Sequence, residues 1–165
     1  MFTQVAGEPP VKEPRRRNID RTDLRILREL ARDGRLPVTE LATRIGLSKS
    51  PTQARLARLV ADGVIRGFRA DLDPAALGRE HVAFVEVKLK DTSEAALRAF
   101  NARVREVPEI EQCHMIAGAF DYLLKVRTTD IREYRAVLGE TISSLPHVES
   151  TSTHVSMEAV KDQLA

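Results

Sequence analysis

Apolar residues recur along this chain with a helical period from about residue 20 to residue 62 and switch to a two-residue period over residues 81–90. A side chain returns to the same face of a helix every three or four residues and of a strand every second residue. A change of period therefore forces a change of architecture. The first stretch can bury its stripes only as a cluster of helices, and the second only as a sheet with helices laid on it. A length of 165 residues accommodates two such small units.

In the first stretch, Asp20 is placed to cap a helix running to about Asp33, with Asp23 in its first turn, where the helix dipole favours a carboxylate. Leu24, Leu27, Leu30 and Ala31 fall on one stripe, and Gly34 ends the run. A second helix has Pro37 in its first turn and carries Val38, Leu41, Ala42 and Ile45 at helical spacing. After the tight turn Gly46-Leu47-Ser48, Ser48 is an N-cap candidate for a third helix from Lys49 to Asp62, with Gly63 as the stop. Two short helices joined by a glycine turn, the second opening on polar residues, make a helix-turn-helix.

The pitch of the third helix sorts its side chains. With Ser50 set at zero, Gln53, Ala54 and Ala57 lie within about 60° and Arg58 at about 80°. Thr52, Leu56 and Leu59 lie on the far side and should pack on the other helices; Ser48 and Thr52 also stand among the candidate DNA contacts. Ser50 and Gln53 can donate and accept at base edges, and Ala54 is small enough to let the helix approach. Lys49, Arg58, Arg66 and Arg69 suit phosphates. Arg55, at about 140°, points back toward the domain and is read as a structural ion pair. Val64 to Leu72 reads as extended, and Arg66-Gly67-Phe68-Arg69 resembles a rudimentary wing.

The overall charge of +2 hides an asymmetry. Residues 1–80 carry 16 Lys/Arg against 11 Asp/Glu, whereas residues 81–165 carry 10 against 13. The basic half points to double-stranded DNA as partner. The alternative is a tri-helical protein-interaction module, which the positive charge along the third helix disfavours. Aromatic residues are 4% with no Trp, which argues against stacking on single strands.

From residue 81 the pattern is β-α-β-β-α-β. Strands fall at 81–90, near 110–116, near 122–128 and near 148–157, with helices from about Ser93 to Arg105 and Ile131 to Leu145. That is the ferredoxin-like plan, so the fold class is α+β: a three-helix winged helix-turn-helix followed by a βαββαβ domain. The expected layout is a flexible arm over 1–17, the DNA-binding unit over 18–63, a hinge strand and linker over 64–80, an effector and oligomerisation domain over 81–160, and a tail over 161–165. An RNA-recognition reading of the sheet lacks its aromatic strand. The turn Ala117 to Phe120 is small and offers backbone N–H groups to an α-carboxylate, and Asp121 would accept from an α-ammonium or hold the loop. Val82 and Phe84 on the second sheet face are the candidate self-contact.

Ile19 to Asp23, Ile65 to Arg69 and Gly118 to Tyr122 together resemble the Lrp/AsnC (feast/famine) family of bacterial and archaeal regulators, over about Asn18 to Val160. The resemblance implies a transcription regulator with an amino-acid-sensing domain that dimerises and assembles to tetramers or octamers. It also implies an effector region at Met115, Gly118, Ala119, Phe120, Asp121, Ile131, His154, Val155 and Ser156. Cys113 to Tyr122 and Ser48 to Gln53 are similar to the branch that activates proline catabolism. Proline is thus the expected effector, with leucine or another apolar amino acid next.

No catalytic role is expected. The sequence has no G-x-S-x-G, Walker or dinucleotide glycine pattern, and the neighbours Cys113 and His114 would point to opposite faces of a strand. The four histidines lack metal-ligand spacing, so neither a metal nor a cofactor is expected. A single cysteine and no apolar run longer than Val82 to Val85 fit a cytoplasmic protein without a membrane segment.

Overall fold

The computed structural model describes residues 18–161. The arm expected over residues 1–17, with Arg15 to Arg17, lies outside the described residues, as does the tail after Lys161. The chain divides between Asp71 and Leu72 into two compact units.

The first unit is built from α1 (Arg21–Arg32), α2 (Val38–Ile45) and α3 (Lys49–Ala61). A reciprocal capping box starts α1: Asp20 Oδ1 accepts from the Asp23 N–H at 2.8 Å, and Asp23 Oδ2 accepts from the Asp20 N–H at 3.1 Å. Ile26, Leu36, Leu41, Ile45 and Leu59 form the core, with Leu27, Leu30 and Leu56 half-buried around it. The buried stripe of α1 is thus centred on Asp23 and Ile26, one step away from the expected one. Leu24 is 45% exposed and Ala31 is exposed. The helix turns to bury a carboxylate that two arginines can reach, described below.

Pro37 is the N-cap of α2 rather than a first-turn residue, and its carbonyl accepts from the Leu41 N–H at 2.9 Å. A proline side chain cannot cap, so burial of Leu41, Ala42 and Ile45 holds this helix. Gly46 closes it in the left-handed region at φ 70°, with the Leu47 N–H bonded to the Ala42 carbonyl at 2.9 Å. The hinge strand expected within 64–80 is not a strand. Among the described residues none pairs with it, and the N–H groups of Val64 and Ile65 instead bond the Leu59 carbonyl at the end of α3.

The second unit is a four-stranded antiparallel sheet of β1 (His81–Leu89), β2 (Ile110–Met115), β3 (Tyr122–Thr128) and β4 (Val148–Val155), in the order β2-β3-β1-β4. Its helices are α4 (Glu94–Val104) and α5 (Ile131–Ala136). Alternation along β1 sends Ala83, Val85, Val87 and Leu89 into the core, where they meet Phe100, Val104, Tyr122, Leu124, Val126, Tyr134 and Ile142. Phe100 and Tyr122 pack with ring centroids 4.4 Å apart. Val82, Phe84, Glu86 and Lys88 take the opposite face, and Phe84 keeps 37% of its surface exposed.

The second helix was expected to run unbroken from Ile131 to Leu145. Instead α5 passes into a π turn, Val137–Thr141, and then a short 3-10 turn, Ile142–Ser144. Gly139 is a weak helix former at the centre of the wide turn, and the i to i+5 winding lets Val137 and Ile142 both bury. No helix among the described residues is long and apolar enough to cross a membrane.

The ring stack under the sheet carries much of this core. Replacing Phe100 with alanine is expected to destabilise the second unit by about 4 kcal/mol through lost burial and a residual cavity, read by circular dichroism in a urea titration.

Candidate DNA-binding and ligand sites

Asp23 has no exposed side-chain surface, yet both of its oxygens are occupied. Oδ1 takes Arg55 Nη1 at 2.9 Å and Oδ2 takes Arg58 Nη2 at 2.6 Å. Arg55 Nη1 also reaches Asp20 Oδ2 at 2.5 Å, and Arg58 Nη1 donates to the Asn18 carbonyl at 3.3 Å. This network fastens α3 to the start of α1. Arg55 is therefore a structural ion pair, as its helical angle implied. Arg58 shares that role, which its expected assignment to phosphate alone did not include. The signal was present in the sequence: two arginines three apart on α3 can both face one carboxylate in the first turn of α1.

Burial raises the pKa of Asp23, but hydrogen bonds from Arg58, the Asp20 N–H and Arg55 outweigh it, leaving the carboxyl below its ordinary 3.8. The Asp23 N–H and then Arg55 lower Asp20 in the same direction.

With α3 held in this way, Lys49, Ser50, Gln53, Ala54 and Ala57 are all exposed. Ser48 is exposed too. It occupies the N-cap position, but its hydroxyl makes no capping bond. Thr52 is a correction: it is fully buried, and its Oγ1 donates to the Ser48 carbonyl at 2.9 Å, so it braces the helix start and has no face to offer DNA. Arg66 and Arg69 are exposed beyond α3.

In the second unit, the turn between β2 and β3 is pinned through Asp121. Oδ2 of Asp121 accepts from the Leu89 N–H at 2.8 Å, and Oδ1 lies 3.5 Å from Lys88 Nζ. The Asp121 N–H donates to the Val87 carbonyl at 2.9 Å, and its carbonyl accepts from the Ile116 N–H at 2.8 Å. Of the two roles open to Asp121, loop-holding is the one its bonds perform. Gly118 and Ala119 stay exposed. Beside the turn is a shallow cavity of about 220 Å³, lined by Ala119, Phe120, Ser150, Thr151, Ser152 and the charged pair Glu86 and Lys88. Glu86 and Lys88 escaped the sequence reading because outward positions on a strand look like ordinary solvated charge. Glu86 Oε1 lies 3.3 Å from His154 Nε2.

The remaining effector-region residues do not gather there. Met115 pairs with Tyr122 at one end of the sheet, whereas Val155 pairs with Ala83 at the other, followed by Ser156, whose N–H bonds the Val82 carbonyl at 2.9 Å. Ile131 follows β3 at that second end. β3 spans six residue steps between these ends, roughly 20 Å. Met115 is 57% exposed, Ile131 48% and Val155 49%, so the core role that spacing alone would give them is excluded. Cys113 is half-buried between strand and helix, and burial pushes its thiol up to about 11, leaving it protonated at neutral pH.

A helix-turn-helix whose third helix presents a polar, exposed face, joined in one chain to an αβ sheet with a pinned small-residue turn, defines a DNA-binding protein with a separate ligand-binding unit. Residues 82–165 match the Lrp/AsnC ligand binding domain, and residues 19–66 match the winged helix-turn-helix DNA-binding family. The proline dehydrogenase transcriptional activator of Rhizobium radiobacter is 61% identical over 145 residues, covering 88% of this chain and 93% of that protein. The leucine-responsive regulatory protein of Salmonella typhimurium is 44% identical over 145 residues, covering 88% of each. Among solved structures, a transcriptional regulator from Neisseria meningitidis in complex with L-methionine superposes with a TM-score of 0.82 at 32% identity, over 87% of this chain and 93% of that one. The chain belongs to the Lrp/AsnC family and is a DNA-binding transcriptional regulator of that type.

Because the folded pKa values of Asp20 and Asp23 lie below 3.8, their contribution to stability is fully present above that pH. It is lost as pH falls toward the folded values. Melting of the first unit is expected to be flat near neutrality and to drop below about pH 4. Asp23→Ala is expected to remove about 2 kcal/mol at neutral pH and to blunt the acid transition, read by circular dichroism across pH.

Proposed function

We propose that this chain activates proline catabolism by binding duplex DNA upstream of a proline dehydrogenase gene and responding to proline. The observation that carries the reading is the 61% identity, over nearly the whole described chain, to a regulator named for that gene. Ser50, Gln53 and Ala54 face base edges, while Ser48, Lys49, Arg66 and Arg69 take phosphates. The protein works in the cytoplasm, where the promoter and the amino acid meet.

The cavity beside the pinned turn presents one cation and one anion, Lys88 and Glu86, with their register partners Ser150 and Ser152 on the edge strand β4. That is the complement of an amino-acid zwitterion. Ala119 and Phe120 supply the small apolar wall, and the Gly118 turn offers its backbone N–H groups. His154 lies against Glu86, its Nε2 3.3 Å from Glu86 Oε1. Met115 on one copy and Ile131, Val155 and Ser156 on another complete the site, since one copy holds them at opposite ends of its sheet. Copies associate first through the face carrying Val82 and Phe84. On this face Glu111 is already paired with Lys125 and Arg127, and Glu86 lies beside His154, so covering it breaks none of these three contacts. Tetramers or octamers require a second contact between dimers, because one self-complementary face is used up in the first.

Proline at 100 times its Kd is expected to stabilise the protein by about 2.7 kcal/mol, seen as a rise in Tm that leucine at the same concentration does not match. A rise with leucine or methionine and none with proline would replace the effector. Gln53→Ala is expected to cost about 2 kcal/mol of discrimination between the footprinted promoter and a scrambled duplex, with binding to the scrambled duplex unchanged.

A further inference from the structure

Pro51, Ala54, Arg55 and Arg58 run along one stripe of α3, beside the stripe of Ser50, Gln53 and Ala57. With Asn18 and Asp20 from the start of α1, they line a shallow depression. Asp23 lies beneath it with no exposed surface, one oxygen on each guanidinium. Arg55 uses only Nη1 for its two carboxylates. Among the described residues its Nε and Nη2 make no hydrogen bond, and 32% of its side chain is exposed. Arg58 uses Nη2 for Asp23 and Nη1 for the Asn18 carbonyl, and keeps Nε.

A guanidinium presents five donors in one rigid plane, so a carboxylate can pin one edge while a second anion takes the other. We propose that this depression clamps a backbone phosphate of duplex DNA, with Asp23 as the positioning residue and the free edge of Arg55 as the contact, Arg58 beside it. The inference rests on the DNA-binding role of α3. A phosphate is the fitting anion because arginines tied to a buried carboxylate cannot extend to base edges, whereas the neighbouring stripe can. Two arginines and two aspartates cancel in charge here. The clamp therefore acts at one phosphate and contributes to affinity as a single neutralised phosphate does. Asp20 opposes it: its carboxylate is 47% exposed, holds the same Nη1 and repels an incoming phosphate. Asp20 thereby limits the strength of the contact.

The test titrates the full chain, over a range of salt, on the duplex that the wild-type chain enriches from a random-sequence pool and on a scrambled version. Arg55→Gln is expected to weaken binding to the enriched duplex roughly eightfold at 0.1 M salt and to flatten the slope of log affinity against log salt by about 0.9. Preference for the enriched duplex over the scrambled one should persist. Asp20→Asn keeps the cap acceptor and is expected to tighten binding, and that gain should vanish when Arg55→Gln is combined with it. Arg55→Lys keeps a charge against Asp20 and Asp23 but lacks a second edge, so a flattened slope at unchanged Tm separates contact from folding. An unaltered slope in both Arg55 variants, or an Asp20→Asn gain that survives without Arg55, overturns the clamp. Failure of the wild-type chain to enrich any duplex would instead overturn DNA binding by α3.

Discussion

A carboxylate taken wholly out of water is stable only if charged donors meet it on every open side. Asp23 meets that condition with Arg55 and Arg58, and much of the reader depends on the solution. The same residue closes the capping box of α1. One side chain therefore starts a helix, fixes the rotation of that helix against the core and ties the third helix to it. The rotation has visible consequences: Ile26 enters the core and Leu24 stays out. With α3 pinned from behind, Lys49, Ser50 and Gln53 are left exposed on its other face.

Asp121 plays the corresponding part in the second unit, by hydrogen bonds rather than ion pairs alone. The β2–β3 turn is rich in small residues and would be loose without an anchor. Bonds from Asp121 to Leu89, Val87 and Ile116 hold it at the end of β1. In both units a carboxylate gives a functional surface its shape by bonding backwards into the fold. This is why sequence leaves Asp121 open between ligand contact and brace, whereas its bonds in the structure are those of a brace.

The period change at the middle of the chain was enough to place the helices, the strands and the sheet order's βαββαβ plan, because burial enforces periodicity directly. The departures have local physical causes. The α1 stripe was read from leucines and missed by one step because a buried aspartate competes for the same face. Gly139 interrupts a helix whose apolar spacing looks regular. The segment after α3 has the composition of a strand but no partner among the described residues, and a strand is defined by its partner. Thr52 shows the limit for site residues: pitch places it inward although it stands among the candidate DNA contacts, and pitch is the better guide. Arg58 sat between the two faces, where an angle cannot separate a contact from a brace. Glu86 and Lys88 were illegible because nothing in sequence distinguishes an outward strand charge lining a cavity from one in open solvent.

The exposure of Met115, Ile131 and Val155 constrains how a ligand can act. Apolar side chains left half in water at two ends of one sheet are unpartnered within a single copy. An effector shifts an equilibrium only by binding one arrangement better than another. If the effector residues of one copy met in a closed pocket, ligand could bind without any change of assembly. They are separated by the length of β3, so on the proposed reading a site that uses both groups forms where two copies bring opposite ends together. Ligand binding and assembly are then linked, and reciprocity follows: assembly raises affinity for the amino acid by the same factor as the amino acid raises affinity between copies.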